Sequence, residues 1–147
     1  MIEREFVFIK PNAVRRSLIG EIISRYEKKG LKIIALKMIQ MTKTQSEKLY
    51  KEHEGKDFYK PLIDFVLSGP VLVMVLEGER AVEVVRHMHG DTDPLKAFPG
   101  SIRGDYGLTV RKNIVHASDS QEKAEKEWQI FFDQEELLEY SIGEENF

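Results

Sequence analysis

The chain has 147 residues, 41% of them hydrophobic, and a net charge of −3 from 25 acidic and 22 basic side chains. That length suits one domain spanning 1–147 and able to bury roughly two-thirds of the surface its unfolded form exposes. No apolar stretch is long enough for a bilayer crossing, cysteine is absent so disulfides and thiolate metal sites are excluded, and the charge balance gives no general attraction for nucleic acid or acidic lipid.

The opening MIEREF is charged and lacks an apolar signal core, so a cytoplasmic protein is expected, with no membrane and no nucleic acid among its partners. Glu5 to Ile9, EFVFI, is nearly all apolar and reads as a strand covered on both faces. Leu18, Ile19, Ile22, Ile23 and Tyr26 recur at helical spacing up to about Lys29, and Gly30 supplies the stop. Leu31 to Met41 reads as a second strand, and its scattered lysines place it at a sheet edge. Thr44 with Glu47 forms a capping box opening a short helix through Tyr50 and His53. Pro61 opens a further helix that ends at Ser68 and Gly69. Pro70 to Leu76 is a second central strand, and Ala81, Val82, Val84, Val85 and Met88 are the buried stripe of a helix that Gly90 ends.

From Gly90 to Lys112 the periodicity fails among glycines and prolines. Loops this long are uncommon in compact domains and are usually functional or disordered; Arg103, Asp105 and Tyr106 favour function here. Asn113 to Val115 then reads as a short strand and Ser120 onward as a helix, with His116 and Ala117 at the joint. This element order predicts an α+β fold of the ferredoxin-like, split βαβ kind: a four-stranded antiparallel sheet with helices, an extra C-terminal helix and a long loop before the last strand. An open three-layer sheet is the alternative, but only four strands are on offer.

Several sites are absent from the sequence. There is no GxxxxGK or GxGxxG phosphate loop, no protein-kinase HRD or DFG, and no HExxH zinc pair. His87 and His89 lie two apart on a helix and point to different sides. His116 alone could be a satisfied histidine at a strand end. Its neighbours favour more: Ser118 and Ser120 precede a helix whose N-terminal amides attract negative charge, and Glu127, two turns in, could fix the imidazole's tautomer. Equally, Ser120 could be a plain cap and Glu127 a solvated partner of Lys123.

FIKPN (Phe8 to Asn12), LYKEHEGKDFY (Leu49 to Tyr59), SGPVLVMVLEG (Ser68 to Gly78), RHMHGDTDP (Arg86 to Pro94), PGSIRGDYG (Pro99 to Gly107) and NIVHASDS (Asn113 to Ser120) closely resemble nucleoside diphosphate kinases, in that family's order and spacing. The resemblance implies transfer of the γ-phosphoryl group of ATP to nucleoside diphosphates through a phosphohistidine, in ping-pong fashion and with broad base specificity. Mg2+ is then bound through nucleotide phosphates with no metal site of the protein's own, and the partners implied are ATP, nucleoside diphosphates and copies of the chain, as a tetramer or hexamer built from dimers. On this resemblance His116 is the nucleophile, at Nδ1, with Ser118 and Glu127 beside it. Arg86, Thr92 and Arg103 match phosphate contacts, and Tyr50 and His53 auxiliary ones. Lys10 and Asn113 match the ribose 3′-hydroxyl contacts; Phe58, Leu62 and Val110 match the base slot. Alone, Arg86 reads as an exposed helix residue, and Phe58 and Leu62 as core. A slot without a hydrogen-bonding side chain predicts modest discrimination between bases.

Asn12, Ala13 and Ala117 depart from the aspartate, glycine and glycine usual in the family; Asn12 is expected to cap a helix, and the Cβ of Ala117 to restrict the backbone after the histidine. Ferredoxin-like domains also serve as RNA-binding and ligand-sensing modules, but no aromatic RNP1-type strand is visible. A non-catalytic relative is expected to have lost His116 or its arginines, and this chain keeps them.

Overall fold

The two nearly continuous apolar runs occupy the middle of one four-stranded antiparallel sheet. The structure, a computed structural model, describes residues 1–143. Strands β1 (Ile2–Ile9), β2 (Lys32–Ile39), β3 (Val71–Glu79) and β4 (Val115–Ala117) lie in the order β2-β3-β1-β4, the split βαβ arrangement. Alternation along the central strands serves two cores. Phe6 and Phe8 of β1 with Val71, Val73 and Val75 of β3 face one side; Val7 and Ile9 with Leu72, Met74 and Leu76 face the other. Both faces are covered, so neither strand shows the polar alternation of a half-exposed sheet.

Helices α2 (Ile19–Lys29) and α5 (Ala81–His89) cover the second face through Ile22, Tyr26, Ala81 and Val85. Helices α3 (Lys43–Leu49), α4 (Tyr59–Val66) and α7 (Gln121–Phe131) cover the first through Leu49, Ile63, Phe65, Trp128 and Phe131. Gly30 ends α2 in the left-handed region, at φ 99°. β2 is an edge strand, as its lysines imply, and a register shift between Ile33 and Ala35 interrupts its ladder.

Several expected boundaries are corrected. The capping box of α3 is Thr42 with Gln45, not Thr44 with Glu47: the Thr42 hydroxyl accepts from Gln45 N at 3.0 Å and the Gln45 side chain accepts from Thr42 N at 2.9 Å. Two helices of five residues, α1 (Pro11–Arg15) and α6 (Ile102–Tyr106), were not expected, because five residues are too few to display a helical period. Asn12 is not a cap: it lies inside α1, and its Nδ2 donates to the Lys112 carbonyl at 3.2 Å. The segment from Gly90 to Lys112 is a packed connection built around α6. A Cβ at Gly104 would lie 2.0 Å from the Phe98 carbonyl oxygen, so only glycine fits there. His87 is exposed while His89 is buried against the Tyr26 hydroxyl at 2.6 Å, on opposite sides as expected.

One core residue stands out. Glu5 on β1 is fully buried; its Oε1 accepts from Phe6 N at 2.9 Å and its Oε2 has no partner among the described residues. Burial, aided by the carboxylate of Glu127, pushes the Glu5 carboxyl up to about 10. Among the described residues no helix is long and apolar enough to cross a membrane.

Candidate active site

His116 lies within β4, not at the strand's end: the strand runs from Val115 to Ala117, two residues later than expected, and His116 pairs with Phe8 of β1. Its ring stacks on Phe8 at 5.0 Å and meets Tyr50 edge-on at 6.2 Å. Pairing with Phe8 turns the imidazole toward α3 and α7. Ala117 pairs with Val7 in regular strand geometry and packs against the second core, so its Cβ restricts nothing there.

The imidazole is held from one side. Its Nε2 lies 2.9 Å from Glu127 Oε1, which also accepts from the Ser118 hydroxyl at 2.6 Å. Lys123 is engaged instead by Glu52 and Asp119, each at 3.2 Å, so Glu127 is not its partner. A carboxylate only accepts, so Nε2 carries the proton and the ring's lone pair is on Nδ1. Ser120 caps α7, accepting from Lys123 N at 3.1 Å.

A cavity of about 1130 Å³ opens over His116 and Glu127, and its wall includes Lys10, Tyr50, His53, Phe58, Leu62, Arg86, Thr92, Arg103, Val110 and Asn113. Residues scattered from 10 to 127 in sequence therefore meet at one place. Of the candidates only Ser118 is off the wall, buried behind Glu127. Phe58 and Val110 are about half exposed, whereas Leu62 also packs on the first core.

The approach to His116 is built on a bent backbone. Val115 N donates to the Asn113 carbonyl at 2.9 Å across Ile114, whose φ of 79° marks the rarer, strained hand of γ-turn. Arg103 clamps that turn: Nε donates to the Asn113 carbonyl at 3.3 Å and Nη2 to the Val115 carbonyl at 2.8 Å, while Nη1 reaches the Gly90 carbonyl at 2.9 Å. Burial lowers this guanidinium to about 10. Arg103 thus positions the strand that carries His116 in addition to any contact with phosphate. Arg86 donates to the Asp119 carbonyl at 3.1 Å, and is exposed. Lys10 is buried and donates to Asn113 Oδ1 at 2.6 Å, and Asn113 Nδ2 donates to the Thr92 carbonyl at 3.0 Å. Burial, with Arg103 adding to it, lowers the Lys10 ammonium to about 7.

A fixed imidazole with a free Nδ1 in a cation-lined cavity is a nucleophile's setting, and the sequence comparisons agree with it. Residues 3–137 match the profile described as nucleoside diphosphate kinase. The chain belongs to the nucleoside diphosphate kinase family. It is 64% identical over 141 residues to the nucleoside diphosphate kinase of Kosmotoga olearia, covering 96% of each chain, and 59% identical over 137 residues to that of Sulfurisphaera tokodaii, covering 93% of each. A halophilic nucleoside diphosphate kinase from Halobacterium salinarum, solved in complex with CDP, superposes with a TM-score of 0.94 at 42% identity, over 97% of this chain and 95% of that one. The nucleoside diphosphate kinase from Aquifex aeolicus superposes at 0.91 and 38% identity, over 94% of this chain and 100% of that one. As a nucleoside diphosphate kinase the chain is a phosphotransferase of broad base specificity that works by the family's ping-pong route through a phosphohistidine.

Sequence reasoning missed Arg111, which also lines the cavity beside Val110. The only signal was the pair of cations, Arg111 and Lys112, following a candidate base contact.

Proposed function

We propose that His116 is the histidine that carries the phosphoryl group, that the surrounding residues hold the nucleotide, and that residues 1–147 work as one catalytic domain. The observation that carries this is the Glu127 contact with Nε2, which leaves Nδ1 as the attacking atom. In the first half-reaction Nδ1 forms a bond to the γ-phosphorus of ATP, and the bond to the β–γ bridging oxygen breaks, its electron pair leaving with ADP. Glu127 balances the charge that develops on the ring, with Ser118 fixing the carboxylate. In the second half-reaction the terminal oxygen of a nucleoside diphosphate attacks the same phosphorus and the Nδ1 bond breaks. Incubation with γ-labelled ATP and Mg2+ should label the protein itself, and added GDP should remove the label; a protein never labelled would defeat the assignment.

Arg86, Arg103 and Thr92 face the transferred group, as guanidinium forks and a hydroxyl suited to phosphoryl oxygens. Tyr50 Oη, buried without a partner among the described residues, and the neighbouring His53 would find an acceptor in that group too. The adjacent Lys10 ammonium and Asn113 amide suit the ribose 3′-hydroxyl, with Phe58, Leu62 and Val110 gripping the base. A 2′-deoxy diphosphate is therefore expected to react about as well as its ribose parent. Removing the 3′-hydroxyl leaves both buried groups without that partner and should lower kcat/KM by about 10²-fold or more. Equal kcat/KM for a 2′,3′-dideoxy and a 2′-deoxy diphosphate would contradict this placement.

Mg2+ belongs with the nucleotide. Asp105 is tied to Arg25 and to Gly100 N, Glu127 to His116 and Ser118, Asp91 and Asp93 to nearby backbone amides, and among the described residues no cluster of potential ligands could hold a metal. Bound to nucleotide phosphates, the ion would neutralise charge as the phosphoryl group transfers. Calorimetry should find no tight Mg2+ binding to the nucleotide-free protein; a micromolar site would overturn the reading.

The enzyme is proposed to act in the cytoplasm, where its nucleotide substrates are, as a tetramer or hexamer built from dimers. Leu36 and Met38 on edge strand β2, and Leu95, Phe98 and Leu108 around α6, are exposed apolar side chains that association would bury. Sedimentation should give a mass of four or six chains; a monomer at micromolar concentration would refute it. The location would be contradicted by finding the tagged chain outside the cytoplasmic fraction of its own cells.

A further inference from the structure

We propose that Arg111 is a specificity-determining residue that biases the acceptor site toward guanine within the enzyme's broad range. The inference rests on the base slot assigned above. That slot is apolar: Phe58, Leu62 and Val110 carry no side-chain donor or acceptor. Arg111 follows Val110 directly and lines the same cavity. It is exposed, and among the described residues it alone of the arginines makes neither a hydrogen bond nor an ion pair. Lys56, the cation over the Phe58 ring, is already engaged: it lies 5.6 Å from the ring centroid, with its Nζ 3.3 Å from His53 Nδ1. Glu52, a carboxylate of the wall next to His53, is held by Lys123.

Position in the chain separates Arg111 from the phosphates. Arg103 fixes Asn113 and Val115 through their carbonyls, which puts His116 at one end of the clamped segment and Arg111 at the other, beyond Asn113 and the ribose. A guanidinium donates in a fixed fork and accepts nothing. To a fork that meets the edge bearing purine N7 or pyrimidine C5, guanine offers two adjacent acceptors, O6 and N7. On that edge adenine offers N7 beside an N6 donor, uracil a single O4, and cytosine an N4 donor. The preference expected is GDP first, ADP and UDP next, CDP last, within a spread of roughly tenfold, the low end for a bidentate contact because this one is open to water.

The test is the discharge of phosphoenzyme by GDP, ADP, UDP and CDP, as kcat/KM, in the parent, Arg111→Lys and Arg111→Ala. The GDP:CDP ratio should fall roughly tenfold in Arg111→Ala and partway in Arg111→Lys, which keeps the charge and loses the fork. 7-Deazaguanosine diphosphate, which lacks the N7 acceptor, should react more slowly than GDP with the parent and equally with Arg111→Ala. Inosine diphosphate, keeping O6 and N7, should follow GDP. A uniform loss across all four bases would place Arg111 on the ribose or phosphates and overturn the proposal, as would an unchanged ratio. A parent inactive with every diphosphate would sink the site assignment along with it.

Discussion

His116→Ala is expected to carry no label after incubation with γ-labelled ATP and Mg2+, and to lose phosphoryl transfer by about 10⁶-fold, the scale on which an enzyme loses its covalent nucleophile. The hydroxyl nearest to it in the chain is not placed to take its role: Ser118 is buried behind Glu127, with its hydroxyl directed to that carboxylate at 2.6 Å. The linkage in the parent should be a phosphoramidate, lost in acid and kept in alkali. Glu127→Ala separates attack from orientation. Without that carboxylate nothing fixes the tautomer, so labelling should persist but slow by about 10- to 100-fold, the cost typical of removing the carboxylate that orients a metal-bound imidazole. Full labelling of His116→Ala, or an acid-stable and alkali-labile phosphoryl group in the parent, would move the nucleophile elsewhere. The alanine variant should still fold, because His116 occupies the cavity wall and its loss leaves Phe8 packed against Phe6.

The sheet was legible because its central strands are buried on both faces, and Phe6 to Ile9 and Val71 to Leu76 can only be apolar throughout in that position. The register of β4 was not legible. Three residues show no period, and the γ-turn at Ile114 displaces the strand from Asn113 to Val115 without any glycine or proline to announce it. Thr42 and Thr44 each stand three residues before a side chain that can close a capping box, so sequence alone could not choose between them. The site residues were legible through family spacing, but their supporting contacts were not: the grip of Arg103 on three carbonyls, 10 to 13 residues away on either side, depends on how an aperiodic segment folds back on itself. Glu5 was read as one more member of a strand, with no sign that its carboxyl would be enclosed.

Glu5→Gln is expected to stabilise the nucleotide-free protein, increasingly so as pH rises. The carboxyl titrates at about 10 in the folded chain, against an unfolded value of 4.5. Between these limits the folded state holds a proton that the unfolded state has released, so stability from this group is complete below the unfolded value and is lost as pH rises, by up to about 1.4 kcal/mol per pH unit. Two other buried groups act in the opposite sense. Lys10, lowered to about 7 from 10.5, contributes stability that falls as pH drops through that window, and His89, lowered well below 6.5 by burial, does the same in mild acid. The parent's stability is therefore flattened across the range, and its own pH profile would hide the effect. The difference between variant and parent removes both opposing groups, since each keeps its surroundings. Glutamine retains an oxygen for Phe6 N and has no charge to bury, so its advantage over glutamate should grow by about 3 kcal/mol between pH 5 and pH 7. For a domain of this size that is a relative rise in Tm of about 6 to 12 °C. Denaturant unfolding of both proteins at matched chain concentration would measure it. Parallel stability curves would show that Glu5 is ionised where it stands, paired with a group such as Arg86 or reached by water, and that β1 carries a charge at its centre.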